Sequence, residues 1–287
     1  MKPGDVRTVG VIGCGIMGSG IVEVCARAGT DVVFVEANDQ LVARGRQAIE
    51  RSTAKGVERG KLEESARQEA LGRITGTTNY QDLAETDLVI EAVVEDPAAK
   101  RDVFHRLDEL TRPEIVLASN TSSIPIVELA SATKRPDKVV GMHFFNPPPV
   151  MPLLEVVRSL TTSDETTEFA KGMGERLGKT TVLAKDRAGF IVNYLLVPYL
   201  NFAAQMFEEG FASAEDIDTA IKLGLSHPMG PLTLLDFIGI DTAVHVAEVL
   251  YDEFKDPLFA PPPILKRMVS AGWLGRKTGK GFYDYDR

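Results

Sequence analysis

An apolar run ending in a glycine-rich turn most constrains what this chain can fold into. The run Thr8–Ile12 leads into Gly13, Gly15 and Gly18, and a helix is expected from Ile16 to Ala28. A strand that enters a helix through such a turn brings backbone N–H groups to a pyrophosphate. The first glycine allows the tight turn, the second leaves room for phosphate, and the third lets helix and strand pack closely. The turn predicts a dinucleotide site.

A second strand supports this interpretation. The strand expected at 31–35 is apolar from Val32 onward and ends at Glu36, about 20 residues after the turn, where an acidic side chain can bind a ribose 2′-hydroxyl. A tight structural turn without a ligand is the alternative. The order of strand, turn, helix, second strand and acid favours the dinucleotide.

Composition indicates a globular chain with an acidic balance. The 287 residues are 44% hydrophobic and carry a net charge of −9, and this length suffices for two domains. The negative charge argues against general attraction to nucleic acid or to anionic membranes. No apolar run is long enough to span a bilayer. We therefore expect neither nucleic acid nor a membrane as partner.

The two cysteines, Cys14 and Cys25, both lie in the first turn-and-helix unit. They form no disulfide framework, so a reducing compartment fits better, and we predict a cytoplasmic protein. Cys14 is either a thiol activated by the start of a helix or a small residue tolerated in the turn.

Strands and helices alternate through the first two thirds of the chain. Further strands are expected at 73–77, 87–92, 115–119, 138–143, 153–157 and 180–183, and helices at 38–71, 97–110, 163–177 and, briefly, from Pro125. This alternation is typical of a sheet with helices on both faces. We predict an α/β fold in residues 1–187, a Rossmann-type, doubly wound, mainly parallel sheet that binds the dinucleotide.

The remaining residues, 188–287, have an entirely helical pattern. Helices are expected at 190–209, 213–223, 231–238, 239–253 and 262–271. The first is apolar on nearly every side, which places it in a core or in a subunit interface, and Pro198 should kink it. We predict an all-helical C-terminal domain that serves substrate binding and dimerisation.

Polar residues follow three of the expected parallel strands at their carboxyl ends. Glu95 follows one strand, residues 120–123 follow the next, and His143 ends the third. Ligands of open α/β sheets bind at this edge, which also carries the glycine turn. We therefore expect these side chains to converge near the dinucleotide.

His143 and Glu155 are the candidate proton-transferring pair. Glu155 is flanked by apolar residues, and a buried carboxylate is costly unless it is paired. The connection between the two allows them to lie on neighbouring strands, where the carboxylate would orient the imidazole and stabilise imidazolium. A structural histidine and an ion pair of Glu155 with Arg158 are the alternatives.

Two further features have both a functional and a structural interpretation. Asn193 on the apolar helix would donate to a substrate carbonyl or bond another helix. Lys55, Arg59 and Lys61, joined by Ser52, would receive the phosphates of an anionic substrate or form a solvated helix face. No spacing of His, Cys or carboxylates suggests a metal site.

These motifs together resemble the 3-hydroxyacyl-CoA dehydrogenase family, and most closely its short bacterial members, the 3-hydroxybutyryl-CoA dehydrogenases. The resemblance covers essentially the whole chain. Its most specific runs are 13–21, 119–123 and 141–147, followed downstream by 189–193, 227–231 and 279–283.

The resemblance implies roles for individual residues. His143 would accept the proton with Glu155 as its partner, Ser122 and Asn193 would contact the substrate, and Ser52 and Arg59 would meet the CoA phosphates. The resemblance implies that NAD is held by Gly13, Gly15, Ile16, Met17, Gly18, Glu36, Glu95, Lys100, Ser122, Asn146 and Lys277. Many relatives have aspartate in place of Glu36, but glutamate also repels a 2′-phosphate, which favours NAD over NADP.

The implied reaction is the reversible NAD-dependent oxidation of a short-chain (S)-3-hydroxyacyl-CoA, such as 3-hydroxybutyryl-CoA, to the 3-ketoacyl-CoA. A related dehydrogenase of a free hydroxy acid or a sugar acid such as gulonate is one alternative. A nucleotide-binding protein without turnover is another. A homodimer through the C-terminal helices is also implied.

Overall fold

Eight strands form one sheet in the first of the two units into which the chain divides, Met1–Asp186 and the residues from Arg187 onward. The computed structural model describes residues 1–285. The strands are β1 (Thr8–Ile12), β2 (Asp31–Val35), β3 (Ile74–Thr77), β4 (Leu88–Glu91), β5 (Val116–Ser119), β6 (Val139–Phe144), β7 (Leu153–Arg158) and β8 (Thr180–Lys185).

The order across the sheet is β3-β2-β1-β4-β5-β6-β7-β8. The first six strands are parallel to one another. Strand β7 runs antiparallel to β6, and β8 runs parallel to β7. Every residue of β4, β5 and β6 is buried, as expected for central strands covered on both faces. The predicted doubly wound, mainly parallel sheet is confirmed.

Six helices belong to this unit. They are α1 (Ile16–Arg27), α2 (Asp39–Glu58), α3 (Glu64–Gly72), α4 (Pro97–Leu110), α5 (Ile126–Ala130) and α6 (Asp164–Arg176). The single helix expected over 38–71 is wrong, because α2 and α3 are separate. Gly60 follows α2 with a φ of 63°, a left-handed conformation that glycine adopts readily and that ends helices.

The second unit is helical, as predicted. Its helices are α7 (Val192–Glu208), α8 (Ala214–Gly224), α9 (Pro231–Ile238), α10 (Ile240–Phe254) and α11 (Pro263–Ser270). Helix α7 continues through Pro198, and the kink expected there stays a prediction. One side of α7 packs into the core of this unit, whereas Leu195 and Phe202 are 68% and 55% exposed. Of the helices within residues 1–285, none is both long and apolar enough to cross a membrane.

Candidate active site

The turn between β1 and α1 has the form that a bound pyrophosphate requires. Gly13 has a φ of 84°, and a Cβ on it would lie 2.7 Å from the carbonyl oxygen of Ala92. A Cβ on Gly18 would overlap the carbonyl oxygen of Gly13. Gly15 instead faces open space, with no atom within 4 Å of an added Cβ, and the neighbouring Ile16 is 79% exposed. Gly13 and Gly18 therefore allow the close packing of the turn, and Gly15 leaves its surface open to a ligand.

Glu36 lies at the end of β2 beside this turn. Its Oε1 accepts a hydrogen bond from the backbone N–H of Cys14 at 2.5 Å, and Oε2 accepts from the N–H of Ala37 at 3.3 Å. These contacts fix a carboxylate where the predicted ribose would bind. The open Gly15 lies in this turn and the half-buried Met17 lies in the first turn of α1, so the structure brings this part of the predicted cofactor set together.

Strand register explains how the candidate catalytic residues meet. His143 on β6 stands directly opposite Glu155 on the antiparallel β7, and residues paired in this way point to the same face. On the other side of β6, Gly141 is in register with Ser119 at the end of β5. The Asn120 side chain joins these two strand ends, because its Oδ1 accepts from the Phe144 N–H at 2.9 Å.

His143 and Glu155 form a buried pair. The imidazole Nδ1 lies 2.7 Å from Glu155 Oε2, His143 is 4% exposed and Glu155 is fully buried. A carboxylate only accepts hydrogen bonds, so Nδ1 carries the proton and Nε2 is the accepting nitrogen. Arg158, the alternative partner of Glu155, pairs with Asp164 at the exposed end of β7.

Ser122 contacts the second nitrogen of the imidazole. Its hydroxyl oxygen lies 3.0 Å from His143 Nε2, and the Phe145 ring packs against the imidazole with a centroid distance of 4.7 Å. Asn146, the next residue, is exposed. The predicted serine and histidine are therefore neighbours at the edge that carries the glycine turn.

Glu95 anchors the backbone turn on which Ser122 lies. Its Oε1 accepts from the Thr121 hydroxyl at 2.5 Å and from the Ser122 and Ser123 N–H groups at 2.9 and 3.2 Å. Burial alone would raise the pKa of the Glu95 carboxyl, but the Lys100 cation and these hydrogen bonds together lower it. Glu95 is therefore held as a carboxylate.

Lys100 and Glu91 complete a buried network that sequence reasoning missed in part. Lys100 is 1% exposed, and its Nζ lies 2.7 Å from Glu91 Oε1 and 3.1 Å from Glu95 Oε2. Its assignment as a direct cofactor contact stays a prediction. Glu91 was not singled out, although it lies between the apolar residues Ile90 and Ala92, the same signal that identified Glu155.

Two of the predicted residues, Asn193 and Lys277, belong to the second unit. Asn193 is in the first turn of α7 and lines an apolar cavity with Leu196, Leu235 and Ile238. Lys277 pairs with Asp241, with Nζ 2.5 Å from Oδ1. The cofactor role of Lys277 and the substrate role of Asn193 stay predictions.

Ser52 and Arg59 lie at the C-terminal end of α2. Arg59 caps the helix, and it is exposed together with Lys55 and Lys61. Within residues 1–285, none of these three cations is in an ion pair with a carboxylate. Nor is any group of three or more His, Cys, Asp or Glu side chains in that range placed to hold a metal ion.

Comparisons with known proteins show the family to which the chain belongs. Residues 8–187 match the NAD binding domain of 3-hydroxyacyl-CoA dehydrogenase, and residues 189–285 match the C-terminal domain of the same family. The chain belongs to the 3-hydroxyacyl-CoA dehydrogenase family. It is thus an oxidoreductase whose cofactor is NAD, and the open glycine turn with its adjoining carboxylate fits that cofactor.

Individual relatives are similar over nearly their full length. A 3-hydroxybutyryl-CoA dehydrogenase of Mycobacterium tuberculosis is 53% identical over 285 residues, which cover 98% of this chain and 99% of the relative. The crystal structure of M. tuberculosis FadB2 has a TM-score of 0.95 at 51% identity, with 98% and 99% of the two chains covered. The (S)-3-hydroxybutyryl-CoA dehydrogenase PaaH1 of Ralstonia eutropha has a TM-score of 0.93 at 45% identity, with 99% and 100% covered.

Proposed function

We propose that this protein catalyses the reversible oxidation of short-chain (S)-3-hydroxyacyl-CoA, with 3-hydroxybutyryl-CoA as the reference substrate, to the 3-ketoacyl-CoA. The observation that carries this proposal is the chain of contacts Ser122–His143–Glu155 at the edge of the sheet that holds the glycine turn. Close relatives that are named for this activity support it. No observation favours a free hydroxy acid as substrate or a protein without turnover.

His143 acts as the general base of the oxidation. NAD, when bound, supplies the acceptor for the hydride that leaves the substrate. His143 Nε2 takes the proton of the 3-hydroxyl, since Nδ1 already donates to Glu155. Glu155 keeps the imidazole in this orientation and compensates the positive charge that develops on it.

Ser122 and Asn193 position the substrate oxygen. The Ser122 hydroxyl lies at hydrogen-bond distance from Nε2, so a substrate hydroxyl that reaches this nitrogen also meets the serine. Asn193 supplies an amide donor from α7. Fixed donors of this kind favour the developing carbonyl by orientation and by electrostatics.

The anionic end of the substrate is bound at the C-terminal end of α2. Ser52, Lys55 and Arg59 offer a hydroxyl and two exposed cations within two turns of one helix. A phosphate bound there gains charge-assisted hydrogen bonds. A net charge of −9 on the whole chain makes such a local patch necessary for an anionic substrate.

Assembly and location are part of the proposal. The exposed apolar side chains of α7, Leu195 and Phe202 among them, would be covered in a homodimer that forms through the helical unit. Two free, buried cysteines suit a reducing, cytoplasmic setting. Light scattering at several concentrations tests the dimer, and a monomer at all of them would exclude it.

The absorbance of NADH during reduction of acetoacetyl-CoA tests the reaction. We expect turnover with NADH well above that with NADPH, and inhibition by free CoA. His143→Gln should fold and bind NADH but lose about 10²–10⁴-fold in turnover, because it lacks the positioned proton carrier. His105→Gln, on the exposed face of α4, is the matched control. Undiminished activity of His143→Gln would refute the mechanism.

A further inference from the structure

We propose that Glu91 is a positioning residue for this reaction: its buried carboxylate fixes the turn that holds Ser122 against His143. This inference rests on the proposed function, because it assigns the effect of Glu91 to the proton-transferring pair. Glu91 is separated from the imidazole by other residues, so it would act through them.

Each oxygen of the Glu91 carboxylate has a separate partner. Glu91 ends β4, is completely buried and stands in register with Ser119, the last residue of β5. Oε1 accepts from Lys100 Nζ at 2.7 Å and from the Val93 N–H at 2.7 Å. Oε2 accepts from the Ser119 hydroxyl at 2.6 Å. Since a buried carboxylate is retained only where such partners offset its lost hydration, these contacts define its position closely.

Two routes lead from Glu91 to the turn that carries Ser122. On the first, Lys100 Nζ joins Glu91 to Glu95, and Glu95 accepts from the Ser122 backbone N–H at 2.9 Å. On the second, the Ser119 hydroxyl donates to Glu91 and accepts from the Thr121 N–H at 3.1 Å. The turn at 119–123 is thus held by both routes, through Glu95 and through Ser119. The side chain at which the two routes meet is Glu91.

The charges in the network explain why a neutral replacement would disturb it. Two carboxylates share one buried ammonium, with N–O distances of 2.7 Å to Glu91 and 3.1 Å to Glu95. Without the charge of Glu91, Lys100 is drawn towards Glu95, whose oxygens also hold the serine turn. A shift in Glu95 is passed to Ser122, and small misplacements of reacting groups cost large factors in rate.

A double-mutant cycle tests this assignment. We expect Glu91→Gln to lower kcat for acetoacetyl-CoA reduction by about tenfold and to change KM by less than about threefold. In a Ser122→Ala background the same substitution should lower kcat by less than about twofold, because the effects of residues that act as one unit are not additive. Equal loss in both backgrounds would overturn the proposal and leave Glu91 a structural residue. Glu23→Gln is the control, because Glu23 is a buried carboxylate on α1 paired with Arg27.

A second measurement does not depend on turnover. The chain has four histidines, so nitrogen NMR of ¹⁵N-histidine-labelled protein can resolve His143. We expect Glu91→Gln to move its Nε2 resonance in the same direction as Ser122→Ala does. An unmoved resonance would overturn the proposal. If Glu91→Gln does not fold, Ser119→Ala breaks the second route alone and should move the same resonance.

The two measurements separate the two proposals. A wild-type protein without turnover on any 3-ketoacyl-CoA would refute the proposed function, and the NMR comparison would still decide whether Glu91 fixes Ser122 against His143. Normal wild-type turnover with additive kinetics would refute the role of Glu91 alone.

Discussion

Replacing Glu155 by glutamine tests the electrostatic part of the mechanism. Glu155 Oε2 lies 2.7 Å from His143 Nδ1 and both residues are buried, so the substitution removes the charge and nearly preserves the shape. With charge centres about 4 Å apart and an effective dielectric constant of about 20, the carboxylate stabilises imidazolium by about 4 kcal/mol. If half of that charge has formed in the transition state, kcat falls about 30-fold, and if all of it has, about 10³-fold.

The assay is oxidation of (S)-3-hydroxybutyryl-CoA with saturating NAD, because in this direction the imidazole gains its charge during the reaction. Glu109→Gln is the control, since Glu109 is an exposed carboxylate 3.9 Å from His105 on α4. Thermal melting confirms that each variant is folded at the assay temperature. A folded Glu155→Gln whose kcat is within about threefold of the wild type would refute the electrostatic reasoning.

Three further predictions concern the cofactor turn and the network beside it. Gly15→Ala should melt like the wild type but bind NADH at least about tenfold more weakly, whereas Gly18→Ala should lower the Tm because its Cβ would overlap a carbonyl oxygen of the turn. Melting curves and NADH fluorescence titrations distinguish the two variants, and equal Tm values would contradict the packing argument. Burial raises the pKa of the Cys14 thiol to about 12, so the native protein should resist disulfide reagents at neutral pH, and rapid labelling before unfolding would count against this. Burial alone would raise the pKa of the Glu95 carboxyl, but the Lys100 cation lowers it below the unfolded value of about 4.3. The contribution of Glu95 to stability is therefore present above that value and is lost as the pH falls through the folded pKa. The acid-unfolding curve of Glu95→Gln should be flatter than that of the wild type, and an equally steep curve would exclude this role.

Local patterns predicted the fold because each one has a direct physical meaning. The glycine turn predicted the first strand, helix and second strand, and the apolar runs predicted the buried strands that follow. The break at Gly60 was missed because the charged, helix-favouring residues on both sides form one continuous pattern. A single glycine in such a stretch is compatible with either a helix or its end.

The candidate site could be predicted only in part, because its geometry depends on strand register. The carboxyl ends of parallel strands meet at one edge, so Ser122 and His143 could be placed near each other from topology alone. The buried network of Glu91, Lys100 and Glu95 joins a strand end to a helix nine residues later. Nothing in the spacing of these residues shows which carboxylate the ammonium will contact.

The reversed direction of β7 restricts how this protein can vary. If the sheet ended at β6, His143 would lie on an edge strand open to water, and no strand would present a carboxylate to it. Because side chains alternate between faces, a one-residue slip of β7 would turn Glu155 to the opposite face. Insertions are therefore tolerable in the connection at 145–152 only if they leave this pairing unshifted, so the reactivity of the histidine depends on the alignment of the strand beside it.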